Sequence, residues 1–197
     1  MRANIGCGNV PLKGYINVDK YYYPGSEAKQ LDQKTVGDWQ DTEDSKWIYG
    51  DATDLPLPDD TFDKVIMVHC LEHLDMEQGN LAIKQLHRIC KPGGIVEIEV
   101  PDLLKGCELM PTVHITEDGD NQPWHRVMGI LYGAVGEEHG GQGQYHLCGY
   151  TKEYLIFKLK ERGFKNIEEI SVGYGHGNDS EHGHGEPQYD FRLRAIK

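Results

Sequence analysis

The run Asn4-Ile5-Gly6-Cys7-Gly8, followed at once by Tyr15-Ile16-Asn17-Val18-Asp19, constrains the fold more than any other stretch of the chain. It reads as two strands joined by a glycine turn, with an acidic residue only 11 positions after Gly8 (19 − 8). A dinucleotide site wants G-x-G-x-x-G opening a full helix, and an acidic residue about 20 positions on. Here Pro11 replaces the third glycine. A crossover between parallel strands normally takes a dozen or more residues, most of them helical. The stretch from Cys7 to Gly14 has room for one helical turn at most.

That shortening discriminates between ligands. The helix N-terminus of a dinucleotide fold binds pyrophosphate through its free N–H groups and positive dipole end. A cofactor without phosphate has no need of it. S-adenosylmethionine carries an adenine, a ribose and an amino-acid end, but no phosphate. It still requires glycines where its methionyl part crosses the strand end, and a carboxylate on the ribose diol. Gly6, Gly8 and Asp19 meet those requirements. A nicotinamide-dependent oxidoreductase fits less well, because of Pro11 and the missing helix.

At 197 residues the chain suits one domain with a real core, taken here as 1–197. No uninterrupted apolar stretch reaches transmembrane length and no signal-peptide pattern opens the chain, so a cytoplasmic location and no membrane association are expected. The cysteines Cys7, Cys70, Cys90, Cys107 and Cys148 are odd in number and never in C-x-x-C spacing, which argues for reduced thiols. A formal net charge of −12 and the lack of a basic cluster argue against a nucleic-acid partner.

Apolar runs at Arg2–Gly6, Tyr15–Val18, Trp47–Tyr49, Phe62–His69 and Gly94–Val100 read as strands, with two more near Phe164–Val172 and Tyr189–Ile196. Asp75 and Gln78 form a capping box for a helix with Ala82, Leu86, Ile89 and Cys90 on one stripe. Lys91-Pro92-Gly93-Gly94 ends it. A second helix starts with Thr151 as N-cap and stops at Gly163. The segments Tyr21–Ser45 and Asp102–Gly149 show weak periodicity, and loops this long tend to be functional. The Gly- and His-rich stretch at 173–188 reads as a flexible loop between the last two strands.

In Gly50-Asp51-Ala52-Thr53-Asp54-Leu55, the Asp51 carboxylate can accept from an adenine amino group while the Ala52 N–H donates to a ring nitrogen. Asp also commonly caps a turn. Its place at the third strand end, after Asp19 at the second, favours the ligand.

Asn4–Gly8, Asp19, Gly50–Leu57, Phe62-Asp63, Leu71-Glu72-His73-Leu74 and Lys91-Pro92-Gly93-Gly94, in that order, resemble the class I S-adenosylmethionine-dependent methyltransferases, and more narrowly their type 11 group. The resemblance covers most of the chain. It implies a Rossmann-like three-layer α/β/α fold on a seven-stranded sheet, six strands parallel and the last antiparallel, with the first helix shortened. It implies S-adenosyl-L-methionine as cofactor, held at Gly6, Cys7, Gly8, Asp19, Asp51 and Ala52, with His69 at its edge. The acceptor is not implied.

His69-Cys70-Leu71-Glu72-His73 matches the H-x-x-E-H protease signature, but that motif needs a helix and His69 ends a strand. It is also similar to the E-x-x-E-H of some methyltransferases that bind a divalent metal, with His69 replacing the first Glu. Imidazole suits Zn, Ni or Fe and not Mg. Surplus polar residues at a turn usually hold it by hydrogen bonds, so Glu72 and His73 are read that way and no metal is assigned.

An oxygen acceptor must lose a proton, and a histidine near neutrality serves best. His146 is the first candidate for the base and His69 the second. In the resembling family a histidine often precedes the helix that begins here at Thr151; a helix-entry hydrogen bond is the structural alternative for His146. Segment 102–149, with Trp124, Met128 and Gly140–Gln144, reads as an acceptor-side insertion for a small polar metabolite such as a sugar or glycan precursor. Trp124, Met128 and Leu131 equally make an apolar helix face. The expected activity is methyl transfer to O or N by a monomer or homodimer. A non-catalytic cofactor-binding partner or regulatory subunit is the alternative.

Overall fold

A computed structural model of the chain describes residues 1–8, 11–21, 46–112, 122–133, 145–172 and 189–197. Its frame is a seven-stranded sheet of β1 (Arg2–Ile5), β2 (Ile16–Asp19), β3 (Lys46–Tyr49), β4 (Phe62–Val68), β5 (Cys90–Pro101), β6 (Lys165–Ile170) and β7 (Asp190–Ile196). The spatial order is β3-β2-β1-β4-β5-β7-β6. All neighbouring pairs are parallel except the two made by β7. The order reverses between β1 and β4, and ligands of open α/β sheets gather outside the strand carboxyl ends at such a point.

β1 and β2 are buried almost throughout, as strands covered on both faces must be. Their register pairs Asn4 with Asn17, and the Asn4 amide donates to Asn17 Oδ1 at 3.0 Å. That same oxygen accepts the Leu12 N–H at 2.8 Å, and the Asn17 amide donates to the Leu12 carbonyl at 3.2 Å. A connection without a helix leaves backbone groups unmatched, and the Asn17 side chain supplies their partners. Among the described residues no helix stands between β1 and β2.

Helix α1 (Met76–Ile89) starts at the expected capping box: Asp75 Oδ1 accepts from the Gln78 N–H at 2.8 Å, and Gln78 Oε1 accepts from the Asp75 N–H at 3.2 Å. Ala82, Leu86 and Ile89 lie fully buried. Lys91-Pro92-Gly93-Gly94 begins a strand rather than closing a helix, because β5 starts at Cys90 and bulges there before rejoining β4 at Ile95. Segment 102–149 is more regular than expected. It holds α2 (Leu103–Leu109), a 3-10 turn and α3 (Gln122–Tyr132). A Cβ on Gly106 would stand 2.8 Å from Ile130 Cγ2, so this glycine permits the close approach of α2 and α3. Helix α4 (Lys152–Arg162) begins with Thr151 accepting the Tyr154 N–H and ends at Gly163, φ +106°. The proposed loop at 173–188 lies outside the described residues, as do 22–45 and 134–144. No described helix is long and apolar enough to cross a membrane.

Candidate active site

The carboxyl ends of β1, β2 and β4 assemble the first part of the site. Gly6 and Gly8 have φ of +66° and +54°, where a side chain is disfavoured. The Gly6 and Cys7 N–H groups both donate to the Val18 carbonyl, at 2.8 and 3.2 Å, folding the turn back on β2. A Cβ on Gly6 would fall 2.2 Å from Cys70 Sγ, whereas one on Gly8 would meet nothing within 4 Å. Gly6 is therefore needed for packing, and Gly8 faces open space. Burial, with Asp19 beside it, raises the Cys7 thiol and keeps it neutral.

Asp19 is 7% exposed and holds the turn from the next strand. Its Oδ2 accepts the Gly8 N–H at 2.9 Å and its Oδ1 the Tyr21 N–H at 2.7 Å. These two bonds aim the carboxylate at the turn. Asp51 behaves both as a turn cap and as a presented acid. Its Oδ1 accepts from the Thr53 N–H and hydroxyl at 2.9 and 2.7 Å, and Lys20 Nζ reaches its Oδ2 at 2.8 Å. Burial pushes its carboxyl up, but Lys20 and Thr53 outweigh this and hold it below the usual range. Lys20 carried no signal in the sequence. Ala52 stands beside it, half-buried in the same turn.

His69 ends β4 with φ +46°, an uncommon conformation for a residue with a side chain, and functional sites concentrate such outliers. Its N–H donates to the Glu99 carbonyl at 3.0 Å. Its Nδ1 lies 3.2 Å from Glu72 Oε1, and its Nε2 lies 3.5 Å from Glu99 Oε1 and 3.9 Å from Asp190 Oδ2. Burial alone would lower its pKa, but Glu72 and Glu99 override that and raise it to about 10. A ring held protonated among carboxylates has no lone pair to offer, which argues against His69 as a base.

Glu99 continues inward. Its Oε2 lies 3.4 Å from Arg192, which also pairs with Glu97, and Lys64 and Arg194 each reach Glu97 Oε1 at 3.0 Å. Glu97, Glu99 and Arg192 are all 0% exposed. Gly94–Val100 reads from sequence as an apolar run, yet its Glu97 and Glu99 are buried as a charge ladder leading to His69. These residues could be found only once β5 and β7 were placed side by side.

Glu72 and His73 lie on a 3-10 turn (Leu71–His73) after β4. Glu72 is 2% exposed. Its backbone carbonyl accepts the Leu147 and Cys148 N–H groups, at 2.8 and 3.1 Å, bringing the remote His146 segment to the turn. His146 is further held by α3: its N–H donates to the Tyr132 carbonyl at 3.1 Å and its Nδ1 to the Ile130 carbonyl at 2.9 Å. Helix C-termini leave such carbonyls unmatched, so the end of α3 is a natural anchor. Burial lowers the His146 pKa despite the nearby Glu72, which favours the neutral ring, and with Nδ1 donating to Ile130 that ring has its lone pair on Nε2. His73 packs edge-on against it, with ring centroids 5.0 Å apart. Helix α3 also contains Trp124, and Met128 and Leu131 on it are half-buried; Gly140–Gln144 lies outside the described residues.

Residues 4–98 match the family model described as a methyltransferase domain. A demethylmenaquinone methyltransferase of Lysinibacillus sphaericus is 46% identical over 50 residues, 25% of this chain and 20% of that protein. A 2-phytyl-1,4-naphthoquinone methyltransferase of Synechococcus elongatus is 39% identical over 69 residues, 35% of this chain and 25% of that protein. The chain thus spans a quarter or less of the length of these two relatives. Among solved structures, an S-adenosylmethionine-dependent methyltransferase of Methanosarcina mazei superposes with a TM-score of 0.61 at 17% identity, over 100% of this chain and 91% of that one. The expected fold is borne out, including the single antiparallel strand.

Proposed function

We propose that this chain, whose residues 4–98 match the methyltransferase-domain model, is a class I S-adenosylmethionine-dependent methyltransferase that transfers a methyl group from that cofactor to O or N of a small polar acceptor. The observation that carries this is the pairing of an open, glycine-lined turn at Gly8 with the buried Asp19 carboxylate aimed at it. Gly6, Cys7 and Gly8 form the cradle for the methionyl part, Asp19 takes the ribose, and Asp51 with Ala52 takes the adenine. His69 lies at the edge of this cradle as a fixed positive charge. When bound, the cofactor supplies an activated methyl on a sulfonium. The acceptor's lone pair forms the new bond to carbon while the carbon–sulfur pair returns to sulfur. The residues contribute chiefly alignment. His146, with its Nε2 lone pair, acts on the acceptor's proton.

Segment 102–149 is the acceptor side, since it delivers His146. The net charge of −12 favours a small molecule over nucleic acid, acted on by a cytoplasmic monomer or homodimer. Two relatives named for naphthoquinone-type acceptors make such quinones a necessary arm of any acceptor screen. The shared stretches, of 50 and 69 residues, are short enough to reflect the cofactor half alone.

Calorimetric titration tests the cofactor assignment. S-adenosylhomocysteine should bind the native chain, and Asp19→Asn should weaken it at least tenfold, equivalent to about 1.4 kcal/mol. NADH binding with no response to S-adenosylhomocysteine would overturn the reading. A screen with labelled methyl donor against sugars, amines, naphthoquinones and nucleic acid then identifies the acceptor. Cofactor binding with no transfer to any class would favour a non-catalytic partner.

A further inference from the structure

We propose that Glu72, His73 and His146 hold a divalent transition-metal cation, of the zinc or ferrous-iron class, on the acceptor side of the cofactor cradle. Ligating atoms from these three residues lie within 4.8 Å of one another. Each imidazole is oriented from behind: His73 Nδ1 stands 3.1 Å from the Tyr145 carbonyl and His146 Nδ1 2.9 Å from the Ile130 carbonyl. A carbonyl only accepts, so each Nδ1 carries a proton, and the neutral form of each ring then has its lone pair on Nε2. This outer support is what metal-bound histidines ordinarily have.

Glu72 provides the independent observation. Its Oε1 is engaged by His69, while its Oε2 is buried with no hydrogen-bond partner. Each of the three residues thus brings one potential ligand atom to the same point, and Glu72 adds a buried oxygen that no described donor satisfies. Such a group of acceptors is satisfied by a cation. The donor set matches two known metal chemistries, the His₂Glu zinc site with an open position and the two-His, one-carboxylate iron site. A tetrahedral edge at ordinary metal–ligand lengths is about 3.4 Å, so loading requires the side chains to close by roughly 1 Å. Magnesium is disfavoured because it prefers oxygen ligands.

The ligand set differs from the one the motif suggests. His69 stands in the E-x-x-E-H position, yet its ring nitrogens face Glu72, Glu99 and Asp190, so it fixes Glu72 from behind instead of ligating. His146, which lies 73 residues after His73 (146 − 73), completes the set. The site itself rests on geometry alone and not on the methyl-transfer reading. Combined with that reading, His146 acts on the acceptor as a ligand of the cation and not as a lone base. The cation would lower the proton affinity of an acceptor oxygen or nitrogen.

Zinc titration of the metal-stripped full chain, followed by calorimetry and by metal analysis after desalting, tests the site. One equivalent should bind, and Glu72→Gln, His73→Asn and His146→Asn should each weaken it at least tenfold. His73→Asn should leave S-adenosylhomocysteine affinity intact, which separates failure of the metal site from failure of the cofactor assignment. Cobalt(II) absorption on the native chain guards against misfolded variants: visible d–d bands without thiolate charge transfer are expected. The proposal is overturned if no zinc or cobalt binds. It is equally overturned by a cysteine-thiolate spectrum, or if binding survives the three substitutions and is abolished by replacing His176, His182 and His184.

Discussion

Arg192→Leu should destabilise the fold by about 3–5 kcal/mol, the cost of breaking a buried ion pair from one side. Arg192 is fully buried between Glu97 and Glu99, and both carboxylates are also fully buried. Glu97 retains Lys64 and Arg194, and Glu99 retains His69 at the other end of the ladder, a more distant contact at 3.5 Å. The penalty therefore falls mainly on Glu99. Adding Glu99→Gln to Arg192→Leu should recover part of the loss, because the uncompensated charge is then gone. Urea unfolding of the two variants and the native chain checks this. A loss below about 1 kcal/mol for Arg192→Leu would mean that the ladder does not carry that weight. The same chain of charges sets Glu72, so even the rescued variant should bind zinc more weakly than the native protein.

Gly6→Ala should cost about 2–5 kcal/mol and abolish measurable cofactor binding. Two terms add. A left-handed conformation costs an ordinary residue roughly 1–2 kcal/mol, and overpacking a filled site costs about 1–3 kcal/mol. The new methyl would lie 2.2 Å from Cys70 Sγ and 2.6 Å from Cys70 Cβ. Cys70→Ala removes only the first contact, so Gly6→Ala with Cys70→Ala should recover part of the stability. Gly8→Ala provides the contrast. It carries the same kind of backbone cost without a clash, so it should unfold less readily while still weakening S-adenosylhomocysteine. Thermal melts and calorimetry on the three variants discriminate the cases. Equal losses at Gly6 and Gly8 would show that backbone conformation alone matters.

Local signals were legible wherever a short-range rule acts. The capping box at Asp75 and Gln78, the Thr151 cap and the Gly163 stop each depend on neighbours a few residues away, and all three appear as read. The glycine turn and Asp19 were legible for the same reason, since 11 residues decide whether a helix can intervene. The Asn4–Asn17 pair was not read, because two amides in apolar strands announce a partner only after the register is known. Helix α2 was not read, and α3 was read only as one alternative for Trp124, Met128 and Leu131; the close approach of the two at Gly106 depends on residues more than twenty positions apart.

The two candidate bases separate sequence from structure most clearly. His69 and His146 are the same side chain with the same intrinsic pKa; of the carboxylates around His69 only Glu72 is a sequence neighbour, and Glu99 and Asp190 come from distant strands. Burial lowers the pKa of both rings, but at His69 the carboxylates of Glu72, Glu99 and Asp190, the last two brought in by β5 and β7, override it, whereas at His146 burial prevails. By itself the sequence determined the sheet elements, the missing first helix and a cofactor turn suited to adenosine without pyrophosphate, since those follow from local spacing and backbone sterics. Only the tertiary structure brings Glu99 and Asp190 against His69 and sets His146 beside Glu72 and His73. Electrostatic environment and ligand geometry are set by strands and helices that meet across many tens of residues, and no local pattern encodes that meeting.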